Sequence, residues 1–134
     1  MTRPGLLCAL ALLAGCGGSS PPSAPLFPSF VDPGWKLESV QAIDVASAPD
    51  VVRAVGLRAA WRASYAGPGR CEVTAFELST SAAAFELVQK WRPQEGRVST
   101  YSGTLFLVVE SQQASQAELI RFAAGLETQL RSTR

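Results

Sequence analysis

Between Leu57 and Leu78, hydrophobic and polar residues alternate along the chain. Leu57, Ala59, Trp61, Ala63 and Tyr65 fall on one side, and Arg58, Ala60, Arg62 and Ser64 on the other, the pattern of a half-buried strand. Ala66-Gly67-Pro68-Gly69 is a turn signal, and Arg70 to Leu78 reads as the returning strand. A two-residue Gly67-Pro68 loop places Leu57 opposite Leu78, Ala59 opposite Phe76 and Arg58 opposite Glu77. Apolar residues then meet on one face and opposite charges on the other, whereas a one-residue slip turns the second strand's apolar set outward.

After this hairpin the period lengthens. Ser79-Thr80-Ser81 offers helix caps, and Ala84, Phe85, Val88 and Trp91 recur at helical spacing within Ala82 to Trp91 before Arg92-Pro93 ends the run. Arg97 to Tyr101 and Thr104 to Glu110 form a second hairpin turning at Ser102-Gly103. Its Leu105-Phe106-Leu107-Val108-Val109 is apolar on both faces, which predicts a central strand. Ser115-Gln116-Ala117-Glu118 is a capping box, opening a helix to about Arg131 with Leu119, Phe122, Leu126 and Leu130 along one stripe. Nearer the N-terminus, Trp35 to Val45 reads as a strand, and Pro49-Asp50 opens a short helix that Gly56 stops.

The order β-α-β-β-α-β-β-α predicts an α+β fold, an antiparallel sheet of about five strands with helices collected on one face. The first six elements also suit a ferredoxin-like split βαβ unit. The hairpin-helix unit occurs twice, over 57–91 and 97–131, as an internal duplication would give, although the two copies share little sequence.

Ahead of this domain, Arg3 precedes an apolar run from Leu6 to Ala14 that ends at Leu13-Ala14-Gly15-Cys16. The run is too short for a membrane-spanning helix, which needs ~20 residues, but fits the core of a secretory signal. The quartet resembles the lipobox of bacterial lipoprotein precursors. That resemblance implies cleavage after Gly15, a diacylglycerol thioether on Cys16 and acylation of the new amino terminus; the alternative is an ordinary secretory signal cut near Ala14 or Gly15. Two or three acyl chains give stable anchoring where one gives only marginal binding. Gly17 follows the cysteine and no acidic residue stands where inner-membrane retention would require one. The implied location is extracytoplasmic: the outer membrane facing the periplasm in a two-membrane bacterium, or the outer face of the cell membrane where there is one. Residues 16–34, rich in Gly, Ser and Pro, read as a tether whose Gly17–Pro28 part reaches up to roughly 40 Å. Leu26, Phe27 and Phe30 are less linker-like and are expected to dock on the single α+β domain, residues 35–134.

Charge and cysteine content narrow the chemistry. The chain carries 12 Lys and Arg against 11 Asp and Glu. Loss of residues 1–15 removes Arg3 alone and leaves a formally neutral chain. Without a run of like charges there is no footprint for nucleic acid. Cys8 leaves with the signal and Cys16 is acylated, so Cys71 is the one free thiol and the fold stands without a disulfide. The absence of histidine removes the commonest general base near neutral pH, the usual zinc-ligand sets and every Ser/His or Cys/His arrangement. Gly67-Pro68-Gly69-Arg70 lacks the spacing of a phosphate loop and precedes a strand instead of a helix.

Glu72, Glu77 and Glu110 sit on predicted strands with no close pairing by spacing. Cys71 is expected on the outer face opposite Ser64. Trp61 and Trp91 lie on predicted inward faces, whereas Tyr65 and Tyr101 flank hairpin turns. If the outer sheet face bearing Arg58, Arg62, Ser64, Val73 and Phe106 is uncovered, then Arg58, Arg62, Tyr65 and Tyr101 are the candidate binding surface. Residues Ala59 to Glu127 resemble uncharacterised domains of other bacterial secreted proteins and lipoproteins, chiefly in the YAGPG turn and the SAAAFELVQKW helix, a resemblance that implies no activity. The expectation is a membrane-anchored accessory domain that binds an envelope partner, without catalytic activity, cofactor or metal. The alternatives are a small-molecule binder with a pocket beside Trp61 or Trp91, and a carboxylate-type hydrolase acting on cell-envelope material.

Overall fold

Period-two alternation divides a strand's side chains between two sheet faces, and in the computed structural model, which describes residues 23–132, both faces are covered. Six strands, β1 (Phe30–Val31), β2 (Trp35–Ile43), β3 (Leu57–Ala66), β4 (Arg70–Leu78), β5 (Arg97–Ser102) and β6 (Leu105–Glu110), are accompanied by α1 (Asp50–Arg53), α2 (Ser81–Lys90) and α3 (Gln116–Ser132). They form one sheet in the order β1-β2-β3-β4-β6-β5, with every neighbouring pair antiparallel. The α+β class and the antiparallel sheet are as the pattern predicts. The sixth strand, β1, comes from the segment read as tether. A ferredoxin-like unit requires parallel neighbours, and this sheet has none.

The helices divide between the two faces instead of collecting on one. On the first, Trp61, Ala63 and Tyr65 of β3, Cys71, Val73 and Ala75 of β4, and Leu105, Leu107 and Val109 of β6 pack with Leu119, Phe122, Leu126 and Leu130 of α3. On the second, Ala60, Phe76, Leu78, Phe106 and Val108 pack with Ala84 and Leu87 of α2 and Val52 of α1. The cause lies in β4 and β6, which are apolar on both sides and so need cover on both. This arrangement also excludes a symmetric duplication. A two-fold axis relating the antiparallel neighbours β4 and β6 runs perpendicular to the sheet and would keep α2 and α3 on the same face.

The first hairpin shows why face assignment from one strand is hazardous. Leu57 lies opposite Leu78 as expected, but the ladder then shifts, pairing Ala59 with Glu77, Ala60 with Phe76 and Tyr65 with Cys71, with Arg58 left at the irregularity. The turn contains three residues, closed by a Gly67 N–H that donates to the Gly69 carbonyl at 2.8 Å. Phe76 therefore shares a face with Ala60 and not with Trp61, and Cys71 lies beneath α3 instead of on the outer face opposite Ser64. Because β4 is apolar on both sides, the slip exposes no hydrophobic row.

Folded structure begins before Trp35. Phe27 and Val31 are buried, Gln129 Nε2 donates to the Phe30 carbonyl at 3.0 Å, and the Tyr65 hydroxyl donates to the Pro28 carbonyl at 2.7 Å. The segment 27–34 is thus part of the domain. The expected signal peptide over 1–15, the expected cleavage after Gly15, the expected lipidation of Cys16 and the first part of the expected tether lie outside the described residues.

Both helix starts follow the predicted caps. Thr80 Oγ1 accepts from Ala83 N at 3.1 Å. Glu118 N donates to Ser115 Oγ at 3.2 Å while Ser115 N donates to Glu118 Oε1 at 2.8 Å, which is the reciprocal capping box.

Candidate functional site

The α2 helix is shorter than the strands beneath it. It covers Phe76, Phe106 and Val108 with help from Trp91, which meets Phe106 edge-on at 5.3 Å. Past this cover the same sheet face turns polar. In register across β3, β4, β6 and β5 stand Ser64, Glu72, Glu110 and Arg97, with Arg62 two residues from Ser64. Ser64, Glu72, Glu110 and Arg97 floor a groove of about 530 Å³ whose walls come from the 94–97 segment before β5 and the 111–113 segment after β6, while Arg62 lines the hollow next to it. A second hollow of about 250 Å³ shares Arg97 and Glu110 with the first and runs over Ile43, Phe76, Trp91 and Val108.

Backbone bonds fix the walls. Ser111 N donates to the Gly96 carbonyl at 2.9 Å, and Gly96 N donates to Gln116 Oε1 at 2.9 Å. Arg70 N donates to Gln113 Oε1 at 2.8 Å, while Ser111 Oγ donates to the Arg70 carbonyl. Gly96 has φ +79°, and a Cβ there would stand 2.7 Å from the Ser111 carbonyl oxygen, so only glycine lets the two walls approach this closely.

The charges on the floor are incompletely paired. Arg62 Nε lies 4.0 Å from Glu72 Oε2, at the outer limit of an ion pair, and both side chains are about half exposed. Arg70 is held by Glu38 at 2.9 Å. The Arg97 guanidinium lies over the Trp91 ring, 5.6 Å from its centroid, and its Nε is buried without an acceptor. Among the described residues, Glu110 has no ion-pair partner. Like charges directly opposite on neighbouring strands destabilise a sheet, but Glu110 stands in register between Glu72 and Arg97, and Arg62 flanks Glu72 on the other side, so an arginine on either side offsets the repulsion.

Of the predicted surface residues, only Arg62 borders this site. Tyr65 is fully buried, its ring edge-on to Phe122 at 5.0 Å, which makes it core. Tyr101 is half-buried under α2 and meets Phe85 edge-on at 5.7 Å. Arg58 is exposed at the sheet irregularity, away from the groove lining. Val73 lies beneath α3 and Phe106 beneath α2, so the patch expected to join them with the arginines does not form.

The carboxylates separate in a way that strand spacing does not reveal. Glu72 and Glu110 meet, whereas Glu77 lies toward the other end of β4 and accepts a bond from Thr104 Oγ1 at 2.9 Å. Cys71 is buried, and burial, with the Glu72 charge second, pushes its thiol up to about 12; it is not a nucleophile near neutral pH. Trp61 lies in the α3 core, and the hollow beside Trp91 is open instead of an enclosed cavity. Among the described residues no group of three metal-ligating side chains occurs, and no helix is long and apolar enough to cross a membrane. Sequence reasoning missed Glu110 beside Glu72, the 94–97 wall and the 111–113 wall. The usable signal was Glu110 as the lone charge ending an otherwise apolar central strand. No family model, curated protein or solved structure matches this chain, so the groove's own geometry carries the functional reading.

Proposed function

We propose that the protein is a membrane-anchored extracytoplasmic lipoprotein whose α+β domain binds an envelope partner through the groove over Glu72 and Glu110. The observation that supports this most is the placement of charged side chains on a rigid floor: Glu72 and Glu110 in register on central strands, flanked by Arg62 and Arg97, in a groove whose walls are pinned by hydrogen bonds to backbone groups. Preorganised polar groups on a rigid scaffold suit recognition. The neutral mature composition supports a protein partner over nucleic acid. Anchoring rests on the lipobox resemblance at Cys16, and it would raise the effective concentration of the domain at its target surface.

Two measurements test the proposal. Mass spectrometry of the native protein is expected to find a processed chain beginning at lipidated Cys16, and Cys16→Ser is expected to leave an unacylated precursor. A photo-crosslinking side chain in place of Gln112, at the groove rim, is expected to capture an envelope protein in intact cells, with Gln129 as the control position outside it. Equal capture from both positions, or none from Gln112, would sink the groove reading.

A second reading, a carboxylate hydrolase acting on envelope material, is favoured by the Glu72–Glu110 neighbour relation. Such a pair needs one carboxyl held protonated, which burial or isolation from cations provides. Glu72 is instead more than half exposed, with Arg62 beside it. Turnover of cell-wall fragments that vanishes in Glu110→Ala would favour this reading over binding.

A further inference from the structure

We infer that β2 pairs edge to edge with β2 of a second copy of this chain, joining two domains through a continued antiparallel sheet. The sheet has two outer edges, and they differ in cover. β5 is half-buried, with α2 and α3 both packed against it. β2 is accompanied by β1 only at Trp35 and Lys36, and the Leu37 N–H donates to the Ser29 carbonyl at 2.9 Å. Beyond that bond the consecutive residues Glu38–Ala42 are all exposed. Alternate residues of such a stretch turn their N–H and C=O groups away from the neighbouring strand, which makes it a template for a further one. The usual means of blunting an edge are sparse here. Residues 39–43 contain no proline, glycine or charge, and their ladder with β3 is regular. The upstream segment does not supply the missing strand, because Pro25 and Pro28 lack N–H groups, Phe27 turns into the core and the Pro28 carbonyl accepts from Tyr65.

The edge fits its own copy. A two-fold axis perpendicular to the sheet keeps each face continuous, so one residue must lie opposite its own image. Centred on Val40, the second copy's Ile43 would reach Leu37, where Ser29 already bonds; centred on Ala42, only residues 41–43 remain paired. Centred on Gln41, the whole of 39–43 pairs. Val40, 39% exposed, then lies opposite the second copy's Ala42 on one face, and Gln41 meets Gln41 on the other. A side-chain amide carries both donors and an acceptor, so it bonds its own image. Within this span no charge meets a like charge, a condition that a charged edge paired with itself fails. At each end Glu38 comes level with the second copy's Asp44, and the Arg70 ion pair to Glu38 at 2.9 Å offsets that approach. The contact is small by itself, and confinement by the proposed anchor raises the effective concentration of one copy for the other.

The test is crosslinking in intact cells with a short bismaleimide on full-length Gln41→Cys. The unsubstituted chain gives the background, and Arg121→Cys, exposed on α3, is the control position; Cys71 is buried and does not compete. Gln41→Cys is expected to give a species of twice the chain mass at about tenfold the background yield, and Arg121→Cys to stay at background. Adding Val40→Lys brings a cation into the pairing from each copy and is expected to lower the yield about tenfold, whereas Val40→Thr leaves it unchanged. Ala42→Lys repeats the block from the facing position, and circular dichroism melts confirm that each variant is folded. Monomer alone from Gln41→Cys, whatever lipid is found on Cys16, or equal yields from Gln41→Cys and Arg121→Cys, overturns the inference. A crosslinked species containing a different protein would show that the edge takes a partner's strand and refute the second copy. A yield unchanged in both folded lysine variants refutes the edge pairing. Capture through position 112 is read separately and bears on the groove alone.

Discussion

Replacing Phe122 with Ala should remove the keystone of the α3 side. Its ring is fully buried and meets Trp35 edge-on at 5.3 Å and Tyr65 edge-on at 5.0 Å. It therefore joins α3 to the start of β2 and the end of β3 and, through the Tyr65 hydroxyl bond to Pro28, to the N-terminal segment. A buried Phe→Ala change costs about 3–5 kcal/mol. Loss of two edge-to-face partners, each ~0.5–1.5 kcal/mol beyond area burial, places this case near the top of that range. Against a total stability of roughly 5–15 kcal/mol for a domain of this size, that is a large share. At ~4 °C per kcal/mol, the melting midpoint falls by roughly 15–20 °C. Phe85→Ala is the internal control, because Phe85 is 47% exposed and has a single ring contact with Tyr101; its loss should be about 1 kcal/mol. Circular dichroism melts and urea titrations of the two variants decide. A Phe122→Ala midpoint no lower than that of Phe85→Ala would refute the view that one aromatic cluster ties the helix, sheet and N-terminal segment together.

Three further outcomes are expected. Stability should decline as pH rises above about 9, because burial raises both the Cys71 thiol, to about 12, and the Tyr65 hydroxyl above its usual 10.0. Unfolding then releases protons, at up to ~1.4 kcal/mol per pH unit for each group; urea midpoints from pH 7 to 10.5 that stay flat would contradict this. At the acid end, bonds from the Ser115 backbone, then its hydroxyl, hold the Glu118 carboxyl below its ordinary value near 4.5. Its contribution is present above that value and lost as pH falls, and Ser115→Ala should move the Glu118 titration upward in a carboxyl NMR experiment. Gly96→Ala should cost about 1–3 kcal/mol through the positive φ and the close Ser111 carbonyl, and should lower partner capture from position 112 by displacing the groove walls.

What the sequence made legible were features that short-range physics determines. The capping box at Ser115, the Thr80 cap, the stripe on α3 and the centrality of Leu105–Val109 all depend on neighbours within a turn or two, and each stands where its pattern puts it. The misplacements have a common source in long-range pairing. A three-residue turn in place of two shifted β4 by one position, which moved Cys71 and Phe76 to opposite faces from those expected. Helices on one face followed from assuming that each strand had a single apolar side. In the segment before Trp35, Phe27 is buried as expected, but Leu26 and Phe30, expected to dock with it, stay exposed and Val31 is buried instead, because its packing under α3, beside a short pairing with β2, joins residues far apart along the chain. The candidate site was the least legible part, since Glu72 meets Glu110 only through the β4–β6 register, and neither strand's own pattern carries that information.

Because β6 supplies alternate residues to both cores, its amides cannot open by loosening either helix alone. Hydrogen exchange there should proceed only through unfolding of the whole domain, while α1 and the outer edge of β5 exchange through smaller openings. Glu110 closes this slowest segment. A ligand held at Glu110 at a hundred times its dissociation constant adds ~2.7 kcal/mol to the free energy of that global opening. It would therefore slow exchange in α3, on the far side of the sheet, without altering a single contact there. Occupancy of the groove would be recorded in the protection of residues that never touch the ligand.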